Sequence, residues 1–277
     1  MTIAVITIVA GRHLHLRNQQ FGLAWSDRLP DIYVVVSMGD AEAVRQTGIG
    51  PLSETSCRNR TRLLEVGDRL PLAEARNAGA AEAIAAGADH LVFLDVDCIP
   101  SASMLDSYGR ALDLTEGPAL HCGVVRYLDA PMPATQLDPS MLHSRPHPAR
   151  PVPGPEQLIA STDWQLFWSL SFALSRQTWL RLNGFHEEYV GYGAEDTDFG
   201  YAAHQQGVNL VWVGGADAYH QYHPTSSRSS SHLDDILRNA TIFERRWGFW
   251  PMLGWLEEFE ATGTAHYDAT TNRWLRF

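Results

Sequence analysis

The chain has 277 residues, 45% of them hydrophobic, with a formal net charge of -11 and a pI near 5.5. That length and apolar content can bury a sizeable core, which excludes a disordered chain; the acidic balance excludes a duplex nucleic-acid partner, whose phosphates need a net basic surface. A local basic pocket for one diphosphate is still allowed, and the scattered Cys57, Cys98 and Cys122 form neither a disulfide framework nor a zinc knuckle, so they read as small core residues of a protein in a reducing compartment.

From the N-terminus, Met1–Ala10 is apolar but has no basic n-region and is cut short by Gly11-Arg12, so it reads as a first strand and not as a signal peptide. Apolar runs at Ile3–Val9, Ile32–Val36 and Leu91–Leu94 predict buried strands, and their alternation with helical patterns predicts a parallel sheet. Leu72–Ala88 is alanine-rich and helical, with Gly87 as its stop. Ser101 follows Pro100 and predicts a cap for a helix through Tyr108 and Leu112, after which Ala119–Tyr127 offers another strand.

The proline-rich stretch Pro131–Pro155 forbids regular structure and reads either as a surface linker or as an active-site flap. Beyond it, Trp164–Leu174 predicts a strand and Ser175–Leu182 a short helix closed by Asn183-Gly184. A helix with an acidic first turn starts at Glu195 and is closed by Gly207 before a strand at Leu210–Val213. The serine-rich Thr225–Ser231 reads as a mobile connection, and Leu233–Trp247 as a helix. No apolar window is long enough to cross a bilayer, so the expected location is the cytoplasm, at most peripheral to a membrane.

Three segments carry chemistry. In Leu91–Pro100 a buried strand ends in Asp95 and Asp97, and period-two geometry predicts both acids on one side of the strand end, where open α/β sheets bind ligands and carboxylates can hold a divalent ion. In Asn183–Phe199 a glycine-rich stretch containing Gly193 leads into Glu195, Asp196 and Asp198 at a helix start. After the last strand, His220 and His223 stand three residues apart, a spacing that is either incidental or metal-binding.

With Leu72–Gly79, which reads Leu-Ala-Glu-Ala-Arg-Asn-Ala-Gly, followed by the Phe-Leu-Asp-x-Asp strand end, the sequence resembles the family 2 glycosyltransferases. The Asn183–Phe199 block is similar to the acidic motif of that family and of the related β-1,4-galactosyltransferase C-terminal domain. The resemblance implies an A-type glycosyltransferase fold, α/β, with a mostly parallel central sheet flanked by helices. One domain over residues 1–277 would comprise a Rossmann-like nucleotide-sugar half (1–127), an acceptor half (128–230) and a helical, aromatic-rich C-terminal segment (231–277).

It further implies an inverting, metal-dependent hexosyltransferase that takes a UDP-linked sugar to a carbohydrate, glycolipid or small-molecule acceptor. Arg76 and Asn77 would lie near the nucleotide, Asp95 toward its ribose or the metal network, and Asp97 on the metal. Asp196 would be the general base, with Glu195 and Gly193 at the acceptor. By position His223 matches the family histidine and His220 falls where relatives can carry methionine. Imidazole with carboxylate and phosphate oxygens suits Mn²⁺ first and Mg²⁺ second.

The family's acidic pair after the second strand is replaced here by Ser37-Met38-Gly39-Asp40, so Asp40 is the substitute base contact. Val9, Ala10 and Arg12, at the exit of the first strand, are placed against the base or diphosphate by fold analogy. Trp164, Phe167 and Trp168 are candidates for an acceptor platform, with Trp168 foremost. The cluster Trp247, Phe249, Trp250 and Trp255 reads as stacking on sugar faces or a lipid carrier, or as core or dimer contact, which leaves a homo-oligomer open. The rival readings are a sugar nucleotidyltransferase, for which Gly11-Arg12 is too sparse a phosphate loop, and a non-catalytic carbohydrate-binding protein.

Overall fold

Seven consecutive apolar or small residues, Ile3–Val9, form strand β1, and the same logic builds β2 (Ile32–Met38) and β4 (His90–Leu94) as buried parallel neighbours. The computed structural model describes residues 1–132, 138–223 and 232–277. Between these strands lie α1 (His13–Ala24), α2 (Ala41–Ile49), β3 (Arg58–Leu64) and α3 (Leu72–Ala85). There follow β5 (Cys98–Pro100), α4 (Met104–Leu114), β6 (Ala119–Leu128), β7 (Ser144–Pro146), β8 (Leu158–Ser161), β9 (Ser171–Ser175), α5 (Arg176–Leu182), α6 (Glu195–Gln205) and β10 (Asn209–His220). The C-terminal part holds α7 (Leu233–Trp247), α8 (Leu253–Ala261), β11 (Ala265–Asp268) and β12 (Arg273–Arg276).

The main sheet runs β3-β2-β1-β4-β9-β6-β10-β5. Its first four strands are parallel, β9 is inserted antiparallel to both β4 and β6, and β6 and β10 are parallel again. Side chains alternate along each strand, so the sheet has two cores. Ile6, Ile8, Val34 and Val36 pack under α3 and α6 with Phe93, Phe172, Phe185 and Phe199, whereas Val5, Val9, Tyr33 and Val35 pack on the other face with α1 and α4. The α/β architecture with helices on both sides of a largely parallel sheet is the one expected, and it puts the strand ends β1, β2 and β4 along one edge. All three cysteines are buried and free. Among the described residues no helix is long and apolar enough to cross a membrane.

The structure departs from the sequence reading in five places. Trp164–Leu174 is not one strand: a 3-10 turn at Trp164–Leu166 precedes β9, because Trp164 and Phe167 turn inward to the core and the chain must bend to bury both. Ser101 does not cap α4, which starts at Met104 with no side-chain cap. The proline-rich stretch contains regular structure after all, since β7 pairs with β6 through Arg126, Tyr127 and Leu128. Residues 133–137 of that stretch, and the Thr225–Ser231 loop, lie outside the described residues. Fourth, β10 runs on past Val213 to His220, with an irregularity between Val213 and Ala218, and this extension carries His220 to the sheet edge. Finally, β3 went unseen because its sequence, Arg-Asn-Arg-Thr-Arg-Leu-Leu, is a charged and mostly exposed edge strand, the composition that protects an edge from pairing.

Candidate active site

β4 ends at Leu94, and residues 95–98 form a tight turn closed by the Cys98 N–H donating to the Asp95 carbonyl at 2.8 Å. The period-two expectation is thereby corrected: Asp95 and Asp97 sit on a turn, not on extended chain, and their carboxylates go to different partners. Asp97 Oδ2 lies 3.5 Å from His220 Nε2, 3.7 Å from His223 Nε2 and 3.3 Å from the Arg12 guanidinium. One ligand atom from each of Asp97, His220 and His223 falls within 4.8 Å of the others, so the three can hold a metal ion. Asp97 Oδ1 is buried without a hydrogen-bond partner among the described residues, and a carboxylate oxygen with two imidazoles is a donor set that fits a divalent cation.

The turn is held by a residue the sequence did not single out. Gln19, fully buried on α1, donates from Nε2 to the carbonyls of Asp95 (2.8 Å) and Cys98 (3.0 Å) and accepts from Thr7 and Tyr33 hydroxyls, both at 2.8 Å. Next to it, Gln221 donates to the His15 carbonyl and accepts from Asn18, which docks the His220–His223 segment on the start of α1. His15 meets His223 edge to face at 6.2 Å between ring centroids. Burial, with Arg12 and His223 nearby, keeps its imidazole below the usual range against the pull of Asp97.

On the other side of Asp95 stands Arg76, only 4% exposed, whose guanidinium bridges Asp95 (3.2 Å) and Glu195 (3.3 Å) and lies over the Phe185 ring. Among three carboxylates this cation is the main compensating charge. Burial raises the carboxyl pKa of Asp95, and Arg76 opposes the rise. Burial and the neighbouring Asp196 push Glu195 up to about 7, again against Arg76. Asp196 is also raised by burial, opposed by Arg76, the Thr197 N–H and Arg150. These are groups with protonation equilibria moved toward neutrality, as acid–base sites require.

Asp196 and Glu195 are presented by a strained entrance. Gly191 and Gly193 have φ of +75° and +102°, and Ala194, with φ +69°, carries a left-handed conformation on a residue with a side chain. A Cβ at Gly191 would lie 2.2 Å from Asp235 Oδ2. The loop is pinned by Asn239, fully buried, whose amide donates to the carbonyls of Val190, Tyr192 and Gly193. Its position on α7 explains why it was not found in advance: nothing local to Asn239 marks it, and the contact is made across 46 residues of chain.

The remaining sequence candidates divide. Arg12 joins the Asp97 cluster, whereas Val9 is buried in the core on one face of the sheet and Ala10 packs against the core on the other, so they wall the edge by backbone and small side chain. Asp40 caps α2 and also accepts from the Gly11 N–H (2.9 Å) and His13 Nε2 (2.7 Å). Burial pushes its pKa up, but these bonds outweigh it and hold the carboxyl below its usual range. Asp40 thus ties the β1 and β2 exits together. Asn77 bonds the Phe185 N–H and carbonyl and Glu187 with both ends of its amide, which fixes the Asn183–Glu187 loop.

Trp168 is the one platform candidate left partly exposed, since Trp164 and Phe167 are buried. Arg150 covers one of its faces at 4.0 Å, while donating to the Leu166 and Trp168 carbonyls. Arg150 comes from the proline-rich stretch, so the end of that stretch is anchored on the Leu166–Trp168 segment. Asp198, third acid of the motif, turns away from the cluster and accepts from Tyr189, Arg246 and Trp247, which makes Trp247 a core contact.

A family profile described as the N-terminal domain of galactosyltransferase matches residues 157–224, which contain the acidic helix and both histidines. Chondroitin synthase of Escherichia coli is 29% identical over 164 residues, covering 50% of this chain and 24% of that protein. Validoxylamine A glucosyltransferase of Streptomyces hygroscopicus is 27% identical over 88 residues, 30% of this chain and 19% of its own. The chain therefore spans about a quarter or less of the length of these relatives. Among solved structures, GalNAc-T7 with UDP, GalNAc and Mn²⁺ aligns with TM-score 0.60 at 14% identity over 89% of this chain and 48% of that one. S. aureus TarS in complex with UDP-GlcNAc aligns with TM-score 0.61 at 16% identity over 93% of this chain and 76% of that one. The chain thus shares the A-type fold of these solved structures, and its sequence matches are to parts of glycosyltransferases.

Proposed function

We propose that the chain is an inverting, metal-dependent glycosyltransferase that moves a sugar from a UDP-linked donor to an acceptor hydroxyl. The observation that carries this reading is the continuous charged cluster in which Asp97 and the histidine pair adjoin Asp95, Arg76, Glu195 and Asp196. The UDP, UDP-GlcNAc and Mn²⁺ of the structural neighbours support the donor and the metal.

Asp97, His220 and His223 would hold the divalent cation, Mn²⁺ before Mg²⁺. When bound, the cation supplies Lewis-acid neutralisation of charge growing on the leaving diphosphate. Arg12, already paired to Asp97, adds a guanidinium on the same side. Val9, Ala10 and the Asp40-braced β1 exit would form the wall for the nucleotide, and Arg76 keeps Asp95 aimed into the cleft.

Asp196 would take the proton from the acceptor hydroxyl as it attacks the anomeric carbon, a role for which a carboxyl raised toward neutral pH is suited. Glu195, anchored by Arg76, would orient that hydroxyl, with Trp168 and the Gly193 loop on the acceptor side. A single displacement inverts the anomeric centre.

The test is Asp196→Asn assayed with a panel of UDP-sugars. Transfer should fall by at least about a hundredfold through kcat, with donor affinity nearly unchanged. Near-normal turnover, or a product that keeps the donor's anomeric configuration, removes Asp196 as base of a single displacement.

A further inference from the structure

Helix α1 faces the charged cluster through His15 and Gln19, and its opposite stripe, Arg17, Gln20, Phe21 and Ala24, lines a groove of about 510 Å³ completed by α2 and the turn Pro51–Glu54. No residue of this groove belongs to the cluster. At its base Gln20 is 0% exposed, yet neither its Nε2 nor its Oε1 has a hydrogen-bond partner among the described residues, and the Oε1 of the adjoining Gln46 is likewise buried and unpartnered. Buried amides are expensive to leave unsatisfied, and native structures rarely keep two side by side without a ligand or water to serve them. Gly50 lets the chain pack closely over the carbonyl end of Gln20: a Cβ there would lie 2.1 Å from Oε1.

The rim supplies the remaining chemistry. Trp25 lines the groove while 66% exposed, an unusual position for the largest apolar side chain. Arg45 is bonded to Glu42, and Glu54 adds a carboxylate to a lining that also holds Arg17, so the lining is close to neutral and does not favour a phosphate. Amides that can both donate and accept, facing charged groups of either sign beside an open indole, match a polyhydroxylated ring whose hydroxyls do both and whose C–H face stacks on an aromatic. We infer that this groove binds a saccharide unit at a second site, apart from the charged cluster.

The experiment is saturation-transfer-difference NMR on the full chain with no metal or nucleotide present, using the methyl glycosides of glucose, galactose, N-acetylglucosamine and N-acetylgalactosamine at about 10 mM, a concentration suited to weak sites. Transfer to the ring C–H protons of at least one glycoside is expected, falling roughly fivefold or more in Trp25→Ala, which removes only an exposed ring. Gln20→Leu should abolish it, and Gln46→Leu, nearer the surface, repeats that test if the first variant fails to fold. No transfer from any of the four glycosides, or transfer unchanged in Trp25→Ala, overturns the proposal. Displacement of the glycoside by inorganic phosphate makes the groove an anion site and overturns it equally. Because the readout is binding without donor or metal, it stands or falls separately from the transferase reading.

Discussion

Asp198 separates the structural part of the acidic motif from the part assigned to chemistry. Its carboxylate is 2% exposed and its Oδ1 accepts from Tyr189 Oη at 3.0 Å, Arg246 Nε at 2.8 Å and Trp247 Nε1 at 2.7 Å. Asp198→Ala strips the partner from all three donors at once and parts α7 from α6. Breaking a buried pair costs about 3–5 kcal/mol, and because the Arg246 side chain is 29% exposed, water recovers some of this, leaving about 3 kcal/mol. For a chain of this size that is a drop of roughly 6 °C in Tm. Thermal and urea unfolding followed by circular dichroism measure it, with Mn²⁺ titration calorimetry on the same variant. The expected result is the destabilisation with metal affinity unchanged, since the side chain points away from Asp97. A loss under about 1 kcal/mol would refute the bracket between α6 and α7; a large loss of metal affinity in a folded variant would refute the division of the motif.

Two further outcomes follow from the cluster. Asp97→Asn and His223→Ala should each weaken Mn²⁺ binding about tenfold or more by calorimetry, and affinity unchanged in both would remove the proposed metal site. Glu195 is pushed up to about 7 in the fold from an ordinary 4.5, so between those values the unfolded chain releases a proton that the folded chain keeps, and stability should fall as pH rises through that window. Glu195→Gln should flatten the metal-free Tm profile there; superimposable profiles would show that Glu195 is not the group responsible.

Local pattern was enough to read the elements whose burial is set by consecutive residues. β1, α7 and the start of α6 are found at Ile3, Leu233 and Glu195 because apolar runs, helical periodicity and an acidic first turn are written within a few residues of chain. The motif segments bearing Asp95, Asp97, Glu195, Asp196, His220 and His223 were legible for the same reason. What joins them was not. Gln19, Asn239, Arg150 and Asp198 make contacts across 76, 46, 16 and 48 residues.

Each is an ordinary polar residue in a helix or loop, with no mark of its partner. The course of the proline-rich stretch, which brings Arg150 under Trp168, is likewise fixed by packing that its composition does not encode. Sequence by itself determined which residue types could do chemistry and where strands and helices begin, because those depend on neighbours along the chain. Only the tertiary structure decided which acids gather in the charged cluster around Arg76 and which brace the fold, because a carboxylate's surroundings are set by the donors that reach it through space.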